Sequence, residues 1–188
     1  KNLIAQQSLV VKNAAKHKDN PVFIDDAIRT IDNSVGRMSQ LLEQLKRGRE
    51  EGPAGRVHLA RLLSRTVGKH AGVDPAPELE VIENGIHVRA ESERLTMVIS
   101  HLIKNAQEAT RTDGHVQVRL RRDGEQAVVE IIDDGCGMEP QFVRDRLFRP
   151  FDSTKGSKGM GIGAYQAREF IKTMGGDLCV ESQPGRGT

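Results

Sequence analysis

The chain has 188 residues, with 28 lysines and arginines against 26 aspartates and glutamates, and its hydrophobic content includes no tryptophan, one tyrosine and five phenylalanines. That length holds one or two domains with an aliphatic core. A formal net charge of +2, without a basic block interleaved with aromatics, offers nucleic acid no footprint, and no apolar run approaches the roughly 20 residues of a membrane span. The expectation is a piece that is not itself membrane-embedded. Cys136 and Cys179 lack CxxC spacing, which suits a reducing compartment and small buried fillers better than a disulfide or metal.

Residues 3–17 and 21–50 read as two helices joined by HKDNP, with Asn20 as N-cap and Pro21 at the first helical position. In the second, Ile24, Ile28, Ile31, Val35, Met38, Leu42 and Leu45 step alternately by four and three, a heptad seam that wants a partner helix. Leu3, Val10 and Ala14 match it within the chain. Two helices bury only part of their apolar surface, so a homodimeric four-helix bundle through helices 3–17 and 21–50 is expected. The charged KRGREEGPAG stretch, with its Gly and Pro, closes this domain (1–50) and sets a linker (51–56) before a second domain (57–188).

In that second domain VHLARLLSRTVGKHAG predicts a short strand and a helix. ELEVIE and IHVRA alternate as strands around Asn84-Gly85, a hairpin signal. ERLTMVISHLIKNAQEAT predicts a helix with Leu95, Val98, Leu102, Ala106 and Ala109 as its core stripe, and HVQVRLRR with QAVVEIID predicts a strand pair about Asp123-Gly124. Residues 139–158 read as irregular and basic. Residues 164–174 read as a helix ended by Gly175-Gly176, and DLCVES as a last strand. The fold class is α+β: a helical hairpin, then a helix-and-sheet sandwich with one mostly antiparallel sheet.

Three features carry chemistry. His101, Asn105 and Glu108 line one polar flank of the 91–110 helix. The strand VVEIID ends on Asp133-Asp134 and then Gly135-Cys136-Gly137, where a buried carboxylate could accept a hydrogen bond from the exocyclic amine of a purine, and glycines allow close backbone approach. Glycines 156, 159, 161 and 163 run directly into a helix, whose free N–H groups suit phosphate. GMGIGA formally matches GxGxxG/A, but FRPFDSTKGSK before it is no buried strand, so the dinucleotide-binding context fails; no GxxxxGK[ST] occurs either.

In this order, HLIKNAQEAT, DDGCGM, LFRPF, GMGIG and GRGT resemble the N, G1, F, G2 and G3 boxes of the histidine-kinase and gyrase-type ATPases. With the N-terminal hairpin, the chain resembles the catalytic core of two-component sensor histidine kinases, and the wording of KNLIAQQSLVVKNAAKH and HLIKNAQEAT is closest to kinases of exopolysaccharide- and exosortase-linked systems. The resemblance implies ATP and Mg²⁺ as cofactors and a response regulator as partner. Asp133 would accept from the adenine amine, with Gly135, Gly137 and Met138 shaping the base pocket. Asn105 would ligate Mg²⁺, and Gly159, Gly161, Gly163, Lys155 and Thr188 would complete the nucleotide site. Residues 139–158 would form a lid anchored by Phe148 and Phe151. Arg144, Arg146, Arg149 and Lys158 read either as phosphate contacts or as a solvated face, Lys155 being preferred as the phosphate contact. Asp134 belongs to the turn.

Gyrase-like and chaperone members carry a water-activating glutamate four residues before the N-box asparagine; here that position is His101, and sensor kinases commonly have asparagine there. Three roles stay open for His101: contact to a metal ligand, hydrogen bond to phosphate, or surface. Lys1-Asn2 match the tail of the family's phosphoacceptor box, which would put the acceptor histidine just upstream and give Asn2 the role of orienting water for dephosphorylation. Another ATPase of the superfamily, such as a clamp ATPase or protein-serine kinase, and a non-catalytic dimeric scaffold are the competing readings.

Overall fold

The structure is a computed structural model that describes residues 2–17, 20–32, 34, 54–150, 152 and 161–188. It divides into two units, Lys1–Glu51 and Gly52–Thr188.

In the first unit, α1 spans Asn2–His17 and α2 covers residues 21–32, with residue 34 also helical. Asn20 caps α2: its side-chain Oδ1 accepts the Val22 N–H at 3.1 Å and its carbonyl accepts the Ile24 N–H at 3.1 Å. The first seam residues are exposed, Ile24 at 37%, Ile28 at 60% and Ile31 at 43%, so no described residue buries them. The rest of the expected second helix, with Val35, Met38, Leu42 and Leu45, lies outside the described residues. Among the described residues no helix is long and apolar enough to cross a membrane.

The second unit opens with β1 (Gly55–His58) and α3 (Leu59–His70), followed by β2 (Glu78–Val81), β3 (His87–Ala90), α4 (Ser92–Ala109), β4 (Val116–Asp123), β5 (Gln126–Asp133), α5 (Pro140–Asp145) and α6 (Gly163–Thr173). On α3, Leu59, Leu62, Leu63, Thr66 and Val67 recur at helical spacing and are buried; the Thr66 hydroxyl is satisfied by donating to the Leu62 carbonyl at 2.8 Å. On α4 the buried stripe is Leu95, Val98, Ile99, Ile103, Ala106 and Gln107. Leu102 and Ala109, expected in that stripe, are half-buried. β4 alternates strictly, Val116, Val118 and Leu120 inward and Gln117, Arg119 and Arg121 outward, so the helices cover one face of its sheet.

The topology corrects the expectation of one sheet. β1 and β3 form a two-stranded antiparallel sheet, while β2, β4 and β5 form a second sheet in which β2 is parallel to β4 and β4 antiparallel to β5. The Asn84-Gly85 turn exists, with Gly85 at φ +89° and its N–H donated to Asn84 Oδ1, but it sends the chain from one sheet to the other instead of closing a hairpin. The turn chemistry is local. The pairing is decided by β2 packing Leu79 against the core beside β4, with α4 in the crossover. The β4–β5 hairpin is present, turning through Gly124 at φ +57°.

Two further expectations change. Residues 140–145 of the segment read as irregular form a helical turn, with Pro140 at its start. DLCVES forms no ladder; the nearest pairing is the Gln183–Gly187 bridge. The Gly175-Gly176 stop holds: the Gly176 N–H returns to the Ile171 carbonyl at 3.1 Å, with Gly175 at φ +78°.

A buried amide fastens α3 to α4. Gln107 Nε2 donates to the carbonyls of His70 (3.2 Å), Val73 (2.8 Å) and Pro75 (3.1 Å). Its Oε1 therefore faces His70 Nδ1 at 3.1 Å, which makes Nδ1 the donor and leaves Nε2 to accept from the Ser100 hydroxyl at 2.6 Å. The His70 carbonyl also accepts the Val73 N–H at 3.3 Å, so Gln107→Leu removes the side-chain donor from the Val73 and Pro75 carbonyls and is expected to cost roughly 2–4 kcal/mol, measured by guanidinium denaturation of the whole chain; a loss below about 0.5 kcal/mol would mean that solvent satisfies them.

Candidate functional site

The site is organised along one face of α4. His101, Asn105 and Ala109 are spaced by four and so stack on that face. At one end, the His101 imidazole occupies the space a side chain at Gly163 would need: a Cβ there would overlap His101 Nε2. Gly163 is the first residue of α6, so the start of that helix lies against His101. At the other end, the Ala109 carbonyl accepts the Cys136 N–H at 3.0 Å, and a Cβ on Gly135 would lie 2.5 Å from the Ala109 oxygen. Half-buried Asn105 sits between the glycine-led helix and the Asp-Gly turn.

Asp133 ends β5 with 7% exposure. Its Oδ1 accepts the Gly135 N–H at 3.0 Å. Its backbone exchanges both hydrogen bonds with Thr188, at 2.9 and 3.2 Å. Burial pushes the Asp133 carboxyl above the usual carboxylate range; the Gly135 N–H and the Thr188 backbone and hydroxyl oppose this, and neighbouring Asp134 adds to it. Asp134 belongs to the turn, as expected: its Oδ1 accepts the His115 N–H at 2.8 Å.

The glycines have backbone neighbours. A Cβ on Gly137 (φ +63°) would strike the Gln183 carbonyl, and one on Gly187 (φ +98°) the Asp133 carbonyl, so residues 133–137 and 182–188 cross at a distance only glycine permits. Sequence reasoning missed Ser182, which knots this crossing: its Oγ accepts the Met138 N–H at 2.8 Å and donates to the Gly187 carbonyl at 3.0 Å, with Thr188 Oγ1 at 3.1 Å. The QPGRGT turn after Ser182 was the available signal, but the crossing it serves is tertiary. Gly161 (φ +64°) abuts the Asp152 backbone in the same way.

The stem of the segment before α6 is held by charge and ring contacts. The Arg168 guanidinium lies 4.5 Å over the half-buried Phe148 ring, and Arg146 pairs with Asp152, which holds that carboxyl below its usual range. Arg146 is thus engaged within the segment, while Arg144 and Arg149 are exposed. Lys155, Lys158, Gly159 and Phe151 lie outside the described residues, and of Asn2 only the helical backbone is described. Among the described residues no group of three His, Cys, Asp or Glu side chains could hold a metal. The Asn105 amide oxygen is a hard donor suited to Mg²⁺ held mainly by phosphate oxygens.

A three-stranded sheet covered by helices, with a buried aspartate at a strand end and a glycine-led helix beside the same α4 face, is the ATP-binding catalytic fold of the histidine-kinase type. The family described as "Histidine kinase-, DNA gyrase B-, and HSP90-like ATPase" matches residues 90–188, and the chain belongs to it. It is similar to the alginate biosynthesis sensor protein KinB of Pseudomonas aeruginosa, 27% identical over 173 residues, covering 86% of this chain and 29% of that protein. The folds of full-length ShkA in complex with AMPPNP (TM-score 0.67, 20% identity, 89% of this chain and 37% of that one) and of histidine kinase ThkA in complex with response regulator protein TrrA (0.63, 19%, 99% and 55%) are also similar. The chain spans less than a third of the length of the curated relatives it matches.

Two predictions follow from this geometry. Gly163→Ala should lower the thermal midpoint, and His101→Ala in the same chain should restore most of the loss, a coupling of about 1 kcal/mol or more; additive effects would show that the imidazole does not occupy that space. A carboxyl raised by folding contributes stability that is complete below its unfolded pKa and is lost as pH rises through its folded value. Asp133→Asn should therefore be more stable than the native chain at pH 7, and the difference should vanish on acidification below the usual carboxylate range, as followed by denaturation at both pH values.

Proposed function

We propose that the chain binds ATP with Mg²⁺ and donates the γ-phosphoryl group to a histidine, as the catalytic part of a sensor histidine kinase, from which it would pass to an aspartate of a response regulator. The observation that carries this reading is the shared α4 face: the Asp133 turn is bonded to Ala109 and the start of α6 packs on His101, with Asn105 between them.

In this reading the Asp133 carboxylate accepts from the adenine 6-amino group. Because that acceptor is buried, a base presenting a carbonyl there leaves it facing another acceptor, which disfavours guanine. Gly135, Gly137 and Met138 border the base, and Thr188 holds Asp133 from behind. The N–H groups at the start of α6, with Gly159, Gly161 and Gly163, take the phosphates, assisted by Lys155. Asn105 would hold Mg²⁺, which when bound neutralises charge on the phosphates. His101 stands where the hydrolytic branch carries a water-activating glutamate, which favours transfer to a protein imidazole over hydrolysis. Its packing on Gly163 gives it a positioning role at the phosphate end.

The exposed Ile24, Ile28 and Ile31 support homodimerisation through helices 3–17 and 21–50, the helices that would present the acceptor, with Asn2 assisting dephosphorylation. The ThkA–TrrA complex supports a receiver domain as the partner.

Isothermal titration should give ATP·Mg²⁺ binding, with GTP weaker by at least about 100-fold. Asp133→Ala should remove ATP binding, and Asn105→Ala should remove its Mg²⁺ dependence. Equal affinity for the two nucleotides would overturn the assignment of Asp133.

A further inference from the structure

The two small sheets treat arginine differently. In the three-stranded sheet each arginine of β4 meets an acid: Arg119 with Glu80 at 2.6 Å and Glu130 at 3.6 Å, Arg121 with Glu130 at 3.2 Å and Asp123 at 3.3 Å, and Arg122, near the strand's end, with Glu83 at 2.8 Å. In the β1–β3 sheet, Arg56 and Arg89 are direct cross-strand partners and both are exposed. Among the described residues neither has an acid within ion-pair distance. Like charges directly opposite each other destabilise a strand pair, and among the described residues nothing offsets this arrangement.

The next pair on the same face is His58 and His87, with ring centroids 4.7 Å apart. His87 Nδ1 lies 2.7 Å from the Gly85 carbonyl, which fixes its ring, and His58 Nδ1 is buried without a hydrogen-bond partner. Ala54, Gly55, Arg56, His87, Val88 and Arg89 line an open groove of about 580 Å³. From the uncompensated arginine pair and this groove we propose that the β1–β3 face is a docking surface for an acidic segment of a partner polypeptide, whose carboxylates pair with Arg56 and Arg89. The openness of the groove favours such a segment over a small anion. A lone carboxylate stays hydrated there and gains little, whereas several on one chain add their contributions. Two arginines make no continuous basic track for a phosphate backbone, which disfavours single-stranded nucleic acid. This face shares no residue with the candidate nucleotide site.

The test is fluorescence anisotropy of labelled hexaglutamate with the whole chain at low ionic strength. Saturable binding is expected, weakened at least about tenfold by Arg56→Ser with Arg89→Ser and less than about twofold by Arg111→Ser with Arg122→Ser, which removes the same charge elsewhere. The Arg56/Arg89 variant should keep or raise the thermal midpoint, since it relieves a like-charge pair. The proposal is overturned if the native chain does not bind, if both double variants lose affinity equally, if the Arg56/Arg89 variant is less stable than the native chain, or if a thymidine oligonucleotide of equal charge displaces the peptide from the same arginines.

Discussion

The close approach of three backbones, at the end of α4, in the Asp133–Gly137 turn and in the Ser182–Thr188 crossing, is the constraint on which the site depends. The Cys136 N–H on the Ala109 carbonyl, the Gly185 N–H on the Cys136 carbonyl and the paired hydrogen bonds of Asp133 with Thr188 leave no room for side chains between these segments. Glycine at 135, 137 and 187 is required first by this crossing and only then by anything that binds. A methyl group at any of these positions would have to displace main chain, and packed main chain yields less readily than a flexible side chain.

That crossing also sets the electrostatics. It removes Asp133 from water while offering its carboxyl the Gly135 N–H and the Thr188 hydroxyl, too few partners to offset burial completely. The carboxylate is held in a state that an incoming donor improves. On the proposed reading, stability and recognition therefore pull in opposite directions at this residue, as expected where a buried acceptor is kept for a ligand.

Charge elsewhere divides along the two sheets. The outer face of β4 carries cross-strand ion pairs, Arg119 with Glu80 and Arg121 with Glu130, that help pin its register with β2 and β5. Among the described residues the β1–β3 pair has no such ion pairs and is held from beneath by Val57 and Ala90 in the shared core. The split at Asn84-Gly85 is what creates this second surface; a single continuous sheet would not have presented Arg56 and Arg89 as an isolated pair.

Local chemistry was legible in the sequence. Periodicity marked α3, α4, α6 and the β4–β5 hairpin, the Asn20 cap and the Gly175-Gly176 stop were read as they stand, and motif order identified the family. These signals lie within a few residues of one another and need no partner. What failed was pairing: β2 and β3 were joined across a genuine turn, DLCVES was read as a strand but forms no ladder, and Ser182 went unnoticed because its partners lie 44 residues upstream and 5 downstream. Turn propensity and alternation report the conformation of a segment, whereas sheet partners are chosen by which apolar face reaches the common core. The sequence by itself therefore determined most of the elements, the candidate residues and the family, and only tertiary packing decided that α4 would hold the aspartate turn at one end and the glycine-led helix at the other, since both contacts join residues far apart in the chain.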